Sequence, residues 1–310
     1  MIMNKFKKVA VFHCSAHVGS AWACAEGIVT TLQKMGLHVL DCARPINNRY
    51  SIADLMKTDL IILSAPEWYY EQILECYGLS WFDLKAKKIA WFAESAQRDD
   101  RNFPFSEVLK LVDEAFYPAI QDASEFGGHW MPFGVDIDIF KPLNIEKIFD
   151  VSFIGSMYPK RLDFVKNINF PVTHIQSLSD PNIVKSFELL TQAYNSTKIF
   201  LNLPALSRLL VTKVTEVMAC GTLLFTPKLD HPSSLANLNS FQDGVELIYY
   251  DPTNTNELRK LLQYYVGNPL EANSIAQNGY QKVVSNFTLE SQLSKILTLI
   301  QPADSRRKDV

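Results

Sequence analysis

The chain has 310 residues, of which 47% are hydrophobic and 20% charged, and its net charge is −3. This composition is typical of a globular protein with a substantial core, and the length is typical of two domains of about 150 residues each. The slight negative charge excludes a bulk electrostatic attraction to nucleic acid or anionic lipid, although it permits a local basic groove.

The cysteines and the apolar segments indicate the cellular compartment. Five cysteines are present, with no C-x-x-C spacing: Cys14, Cys24, Cys42, Cys76 and Cys220. An odd number without paired spacing favours a reduced protein that has no cysteine-based metal site. No apolar run reaches the roughly 18 residues of a membrane span, and the N-terminal segment lacks the long apolar region of a signal peptide. We therefore expect a cytoplasmic protein with no membrane span.

The first part of the chain alternates strand-like and helix-like segments. Strands are predicted at 7–13, 37–42, 59–64 and 87–93, with helices between them and a further strand and helix within 115–126. This alternation predicts a parallel sheet with helices on both faces. Such sheets bind ligands beyond the carboxyl ends of their strands. The loops at 14–20 and 94–100 are therefore the candidate ligand loops of this part.

The segment HWMPFGVDIDIFKPL (129–143) contains several helix and strand breakers, and we interpret it as a linker between domains. After it, strand and helix alternate again from 150 to about 251, followed by a helical tail. The pattern predicts an N-terminal domain over 1–134 and a C-terminal domain over 135–290. Residues 291–310 then form a terminal helix and a frayed tail.

The most informative stretch covers residues 197–227 and is predicted as strand, loop, short helix and strand. Lys213 and Glu216 are three residues apart in the helix, so they share one face. The residues spaced as a buried stripe are Val214, Val217 and Met218. Gly221 is suited to the left-handed conformation that ends a helix. We expect this helix to bury one side and to present a cation and a carboxylate on the other.

The segment TEVMACGTLLFTP (215–227) resembles the E-x-M-A-x-G signature of GT-B nucleotide-sugar glycosyltransferases, especially the CgeB-like (spore-maturation type) branch and the broader family-4 group. The linker also matches the family pattern P-x-G-V-D-x-x-x-F-x-P at 132–142. The resemblance extends over about 128–300 and is weak before that. It implies an α/β, GT-B fold of two Rossmann-like domains with a cleft between them, in which the terminal helix crosses back to brace the first domain.

The resemblance implies transfer of a sugar from a nucleoside diphosphate donor to an acceptor hydroxyl, with no other cofactor. The C-terminal domain would hold the donor and the N-terminal domain the acceptor. The acceptor class stays open: a saccharide, a lipid, a protein, a natural product or a modified DNA base. Two alternatives also stay open, a noncatalytic sugar-nucleotide-binding or scaffold protein and a GT-B sugar-nucleotide epimerase.

A donor diphosphate requires backbone N–H groups at the start of a helix and one or two cations. The segment GSMYPKR (155–161) leaves a strand and enters a helix. Gly155 and Ser156 would let the phosphates approach the backbone, and Lys160 and Arg161 would supply charge. The corresponding segment of CgeB-like proteins faces the donor phosphates. The alternative is a surface Lys-Arg pair, which the helix dipole slightly disfavours.

Four further residues are donor-site candidates. Glu216 could accept hydrogen bonds from both ribose hydroxyls, which is the role the signature implies, and Lys213 could be a second phosphate cation. The alternative for both is an ion pair with each other, worth about 0.2–0.5 kcal/mol. Asn202 could contact the donor or simply satisfy a turn. Arg208 stands where family-4 enzymes carry a first glutamate, so it could offset leaving-group charge, and the family-4 retaining mechanism stays open.

The acid–base candidates are Glu94, after a predicted strand, and His17, in the loop after the first strand. A general base must lie on the acceptor side of the cleft, although either residue could instead be a structural hydrogen-bonding group. The D-x-D pattern at 136–138 lies in the linker rather than where it would chelate a donor. We therefore predict transfer without a metal ion, with Lys160, Arg161 and Lys213 neutralising the phosphates.

Overall fold

A computed structural model describes residues 6–13, 23–43, 46, 49–96, 98, 102–176, 186–206, 209–228 and 241–300. Within these residues the chain forms two separate sheets, one of six strands and one of five, and every strand pairing in them is parallel. This arrangement agrees with the α/β alternation predicted from the sequence.

The first sheet has the strand order β2-β1-β3-β4-β5-β6. Its strands are β1 (Lys8–His13), β2 (His38–Ala43), β3 (Leu60–Ser64), β4 (Lys87–Trp91), β5 (Glu114–Tyr117) and β6 (His129–Trp130). Its helices are α1 (Ala23–Lys34), α2 (Ile52–Leu55), α3 (Tyr70–Tyr77), α4 (Phe105–Leu109) and α5 (Ile120–Phe126), with 3₁₀ turns at Pro66–Trp68 and Gly78–Trp81. The direction of winding reverses between β1 and β3, which are neighbours in the sheet although β2 separates them in the chain.

The second sheet has the order β11-β10-β9-β7-β8. Its strands are β7 (Phe149–Phe153), β8 (Thr173–His174), β9 (Thr197–Leu201), β10 (Leu223–Pro227) and β11 (Ile248–Tyr250). The remaining helices are α6 (Pro159–Ile168), α7 (Phe187–Asn195), α8 (Thr212–Ala219), α9 (Thr255–Gly267), α10 (Pro269–Asn286) and α11 (Leu289–Leu299). In this sheet the winding reverses between β7 and β9.

Two elements of the first half were not predicted. Helix α4 is only five residues long, and strand β6 has two residues inside the segment that we interpreted as linker. Strand β6 pairs with the end of β5, with His129 beside Phe116 and Trp130 beside Tyr117. Elements this short carry no readable periodicity. Strand β6 in particular depends on its pairing with β5 rather than on its own sequence.

Alternation along β1 separates two apolar layers. Val9 and Val11 face the layer that includes α1, whereas Ala10 and Phe12 face the layer that includes Trp81. A strand whose residues are buried on both faces is typical of a parallel sheet covered by helices.

The last helix, α11, packs against the first sheet although α10 before it packs against the second. The residues of α11 in the core of the first sheet are Leu289, Leu293, Ile296 and Leu297. At the start of this helix the Val135 N–H donates to the Phe287 carbonyl at 2.8 Å, and the Leu289 N–H donates to the Val135 carbonyl at 3.0 Å. The segment after β6 and the α10–α11 junction therefore lie side by side.

The D-x-D pattern belongs to this same region. Asp138 forms an ion pair with Lys34 of α1, and the Asp136 carboxylate accepts a hydrogen bond from the Asp138 N–H at 3.0 Å.

No helix in the described part of the chain is both long enough and apolar enough to cross a membrane.

Packing of α11 can be tested with two leucines of the same helix. Leu293 is fully buried, whereas Leu299 is 47% exposed. We expect Leu293→Ala to lower the free energy of unfolding by about 2–5 kcal/mol, because it leaves a cavity under the first sheet. Leu299→Ala should change it by less than about 0.5 kcal/mol. Chemical denaturation would measure both, and equal effects would contradict the described packing.

Candidate functional site

The reversal of winding between β7 and β9 places a crevice beyond the carboxyl ends of these two strands, where α/β sheets bind ligands. The loops that border it are 154–158, after β7, and 202–206, after β9. The predicted donor residues Gly155, Ser156 and Asn202 lie in these loops. These three residues therefore lie at the end of the second sheet at which folds of this kind bind ligands.

Gly155 has a φ of +146°, a backbone conformation that L-residues with a side chain rarely adopt. A Cβ atom at this position would lie 2.9 Å from Cζ of Phe153, 3.1 Å from Nζ of Lys213 and 3.5 Å from Nη1 of Arg161. The two cations therefore lie against the backbone of Gly155. A side chain at this position would push against them, so glycine is required both by its φ and by its neighbours.

Arg161 joins the two loops. Its Nε donates to the Pro204 carbonyl at 2.9 Å and its Nη1 donates to the Ser156 carbonyl at 2.8 Å. The Tyr158 hydroxyl donates to the same Pro204 carbonyl at 2.8 Å. The guanidinium also lies over the rings of Tyr158 and Phe153, with its Cζ 4.6 Å and 5.1 Å from their centroids. These contacts hold the loop after β7 against the loop after β9.

The sequence left open that Lys160 and Arg161 are an ordinary pair of surface residues. Lys160 is exposed, in agreement with that alternative, but Arg161 is buried. Burial lowers the pKa of Arg161 from its usual value. In the described part of the chain its hydrogen-bond partners are two carbonyl groups and the side chain of Tyr158, not carboxylates. A buried guanidinium without a counter-charge is a site at which an anion would be stabilised.

Lys213 extends from the start of α8 toward the same loop. Its Nζ donates to the Ile154 carbonyl at 2.8 Å and lies 5.3 Å from the centroid of the Phe153 ring. Helix α6, which begins at Pro159, has no side-chain cap on its first turn, since its N-cap residue Tyr158 makes no such hydrogen bond. The positive end of α6 and the amine of Lys213 are therefore both near Gly155, which suits an anion.

Glu216 is more buried than the sequence suggested, with only 5% of its surface exposed. Helix α8 buries Thr215, Glu216 and Ala219 as well as the predicted apolar stripe. The Tyr194 hydroxyl, from α7, donates to Oε2 of Glu216 at 3.1 Å. Burial, together with the Glu216 carboxylate, raises the pKa of Tyr194, so this hydroxyl stays a donor. Gly221 ends the helix with a φ of +67°, as predicted.

Asn202 ties the ends of neighbouring strands together. Its Nδ2 donates to the Thr226 hydroxyl at 3.0 Å, and its carbonyl accepts from the Tyr250 hydroxyl at 2.7 Å. These contacts favour the structural interpretation of Asn202, although the residue lies at the carboxyl end of β9, in the same loop as Pro204. A direct contact with the donor stays a prediction.

The acid–base candidates belong to the first half of the chain. Glu94 follows β4 and forms an ion pair with Arg98, with Oε1 2.6 Å from Nη1. His17 lies outside the described residues, and so does Arg208. Glu94 is thus at the carboxyl end of the first sheet, as predicted, while its role as a base stays a prediction.

Several residues of the site were not predicted. Tyr158 lies within the GSMYPKR segment, so its place next to a predicted phosphate loop was a usable signal. Tyr194 has no local signal, because it approaches Glu216 from a different helix. Glu67, which follows β3, also belongs to the carboxyl end of the first sheet and is buried.

The contact between Tyr194 and Glu216 makes a prediction about stability. We expect Tyr194→Phe to lower the free energy of unfolding by about 1.5–3 kcal/mol, because a buried carboxylate loses a hydrogen bond. Tyr264 is the matched control, since its hydroxyl donates to Glu271 at 2.8 Å on the protein surface. Tyr264→Phe should have no measurable effect in the same denaturation experiment. An equally small effect of Tyr194→Phe would show that the buried contact is not formed in solution.

No curated protein matches the sequence. Solved structures do match it, at low identity. Sucrose-phosphate synthase from Thermosynechococcus elongatus is 12% identical, covering 94% of this chain and 98% of its own, with a TM-score of 0.61. HepE from Anabaena, solved with UDP-glucose, is 13% identical, covering 94% and 100%, with a TM-score of 0.63.

An alpha-glucosyltransferase, solved with UDP and a 13-mer DNA containing a central A:G mismatch, is 10% identical, covering 95% of this chain and 100% of its own, with a TM-score of 0.67. These likenesses confirm the predicted GT-B fold of two Rossmann-like domains. Residues 139–298, just over half of the chain, match the family model described as glycosyl transferase-like. That match confirms the predicted class of activity, and the chain belongs to the glycosyl transferase-like family.

Proposed function

We propose that this protein transfers a sugar from a nucleoside diphosphate sugar, with UDP as the expected nucleotide, to an acceptor hydroxyl. The observation that carries the proposal is the pair of cations that lies against Gly155. We call this cluster the phosphate loop site and define it as Gly155, Arg161 and Lys213. UDP is the expected nucleotide because HepE and the alpha-glucosyltransferase were solved with UDP or UDP-glucose.

In this proposal the diphosphate lies at the start of α6. Backbone groups of Gly155 and Ser156 approach it, while Lys213 and the exposed Lys160 supply positive charge. Arg161 acts mainly by holding the loop in shape, since two of its N–H groups already bind carbonyls. Its charge still lies beside Gly155 and favours an anion there.

The ribose is bound by Glu216. A carboxylate has two oxygens and can accept hydrogen bonds from two adjacent hydroxyls. Tyr194 occupies part of the capacity of Oε2 and thereby orients the carboxyl group. Since α8 carries both Lys213 and Glu216, a single rigid helix would set the distance between the ribose and phosphate contacts.

During transfer, the oxygen of the acceptor hydroxyl forms a bond to the anomeric carbon of the sugar. The bond from that carbon to the phosphate oxygen breaks, and its electron pair leaves with the nucleoside diphosphate. The hydroxyl proton passes to a base, for which we propose Glu94 or His17, or to the departing phosphate. Arg208 is proposed to offset the charge of the leaving group, and Asn202 to border the donor.

We also propose three finer assignments: the branch of the family, the domain limits and the cellular compartment. The TEVMACG and PFGVD segments support membership of the CgeB-like branch. The two sheets, at 8–130 and 149–250, support the domain limits 1–134 and 135–290, with 291–310 as the terminal segment. Free thiols at Cys42, Cys76 and Cys220 support a reducing, cytoplasmic environment.

The donor assignment can be tested with a thermal-shift screen of nucleoside diphosphates, followed by release of nucleotide from UDP- and GDP-sugars. We expect UDP to stabilise the protein, since a ligand of the native state raises its melting temperature. Glu216→Gln keeps the shape of the side chain but loses its charge, so UDP affinity should fall about tenfold or more. Glu75→Gln, in an exposed position on α3, is the control.

Three outcomes of that screen would count against the proposal. If no nucleotide binds, the donor site is wrong. If Glu216→Gln binds UDP as tightly as the unchanged protein, the ribose assignment is wrong. Binding without any release of nucleotide, with or without candidate acceptors, would indicate a sugar-nucleotide-binding scaffold instead of an enzyme.

Metal independence gives a separate prediction. Side-chain cations neutralise the diphosphate in this proposal, and the D-x-D aspartate Asp138 is paired with Lys34. Nucleotide release should therefore be unchanged in excess EDTA and should not increase when Mg²⁺ or Mn²⁺ is added. Loss of activity in EDTA that is restored by one of these ions would overturn this part of the proposal.

A further inference from the structure

Two buried carboxyl groups lie at the carboxyl end of the first sheet, away from the phosphate loop site. Glu67 belongs to the 3₁₀ turn after β3, next to the reversal of winding between β1 and β3. Ala65, which precedes this turn, has a φ of +55°, a left-handed conformation that is uncommon for a residue other than glycine. Strain of this kind often occurs at functional sites.

Glu67 holds the loop that follows β4. Its Oε1 accepts hydrogen bonds from the backbone N–H groups of Ala93 at 2.8 Å and Glu94 at 2.9 Å. Only 5% of the Glu67 surface is exposed. Its Oε2 is buried and has no hydrogen-bond partner among the described residues. Such an atom is costly unless it meets a partner, which a bound molecule or water would supply.

The other end of the same loop is held by Asp122 of α5. Its Oδ2 accepts from the Ala96 N–H at 3.3 Å and its carboxylate is also bound by the side chain of Ser95. Asp122 is fully buried, and its Oδ1 likewise has no partner in the described part of the chain. The loop 93–96 is therefore fixed by carboxyl groups from the two elements that follow β3 and β5, the strands adjacent to β4.

Glu94 is carried by this loop, between the two fixed points. Among the described residues, Glu67 contacts the backbone of Glu94 and Arg98 pairs with its carboxylate. The charge near Asp122 is that of Glu125. Acidic side chains from two elements, the turn that holds Glu67 and helix α5, thus lie around the loop that carries Glu94.

Burial, together with the nearby Glu94 carboxylate, raises the pKa of Glu67 to about 8. Burial raises the pKa of Asp122 to about 6, with Glu125 adding to the effect. Near neutral pH Glu67 is therefore mostly protonated. While one oxygen accepts from the loop, the protonated oxygen is a hydrogen-bond donor.

We propose that Glu67 is a positioning residue of the acceptor half of the site, which fixes loop 93–96 and with it the carboxylate of Glu94 where an acceptor hydroxyl arrives. This inference rests on the proposed function. It assigns to Glu67 no proton transfer of its own, and Asp122 assists it from the other end of the loop.

Ionisation of Glu67 has a defined effect on stability. Its folded pKa lies above 4.5, the value of an exposed glutamate, so the neutral form favours the folded state. This contribution is complete below pH 4.5 and is lost as the pH rises through about 8. Glu67→Gln is neutral at every pH, and its amide oxygen can still accept from both N–H groups. Its free energy of unfolding should therefore increase relative to that of the unchanged protein between pH 5 and pH 9.

The test compares Glu67→Gln, Glu67→Ala and the exposed control Glu75→Gln in the full chain. Hydrogen exchange of the peptide containing 93–96 measures the order of the loop, and the thermal shift with UDP measures the donor site. The release of UDP from UDP-glucose, with water as acceptor, measures turnover between pH 6 and pH 9.

We expect Glu67→Gln to keep the slow exchange and the UDP shift but to lose the inflection in rate near pH 8. Glu67→Ala should exchange faster at 93–96 and release UDP about 10- to 100-fold more slowly, with the KM for UDP-glucose unchanged, because the loop is misplaced. The control should behave as the unchanged protein. If Glu67→Ala does not fold, Asp122→Asn and the pH profile of Glu67→Gln decide the question.

Unchanged turnover in Glu67→Ala with UDP binding intact would overturn this inference alone, and so would an unchanged pH profile in Glu67→Gln. If the unchanged protein neither binds UDP nor releases it from UDP-glucose, the proposed function fails and this inference fails with it.

Discussion

The carbonyl oxygen of Pro204 accepts hydrogen bonds from both Tyr158 and Arg161, and the shape of the phosphate loop site depends on this contact. It fixes the loop after β9 against the loop after β7. The Arg161 guanidinium stays charged although it is buried among carbonyls and aromatic rings, and two of its N–H groups donate to those carbonyls. The charge is thereby held beside Gly155, and Nζ of Lys213 lies close to the same glycine.

The two sheets repeat one architecture with different ionisable side chains at their carboxyl ends. At the reversal of winding in the second sheet, the side chains are cationic: Lys213, Arg161 and the exposed Lys160. At the carboxyl end of the first sheet they are acidic: Glu67, Glu94 and Asp122. A net charge of −3 conceals this separation. It suits a reaction in which one half binds a diphosphate and the other handles the proton of an acceptor hydroxyl, which is the division of labour that we propose.

Local patterns explain what could be predicted from the sequence. The helix at 212–219 was predicted from the spacing of its apolar residues and from the glycine that ends it. All of these residues lie within one short segment. Lys213 and Glu216 were identified for the same reason. Their partners were not, because the Ile154 carbonyl and Tyr194 come from distant parts of the chain. The burial of Glu216 follows from these partners, so no helical pattern could show it.

Glu67 shows more clearly what the sequence alone cannot predict. In the sequence it is one acidic residue after a strand, with nothing to distinguish it from a solvated glutamate. Its importance arises because β4 places two backbone N–H groups beside it, and that pairing is a property of the folded sheet. Arg161 is similar: the sequence indicated a cation at a helix start, but only the fold shows that the cation is buried and shared between two loops.

The central claim is that the phosphate loop site binds the diphosphate of the donor. Calorimetric titration with UDP and with uridine tests it directly, using Lys213→Met and the control Lys198→Met, whose lysine is exposed and paired with Asp150. Lys213→Met should weaken UDP binding by about 10- to 100-fold, as expected for loss of a charge-assisted contact, while uridine binding stays unchanged. Equal affinities of Lys213→Met and Lys198→Met for UDP would contradict the account.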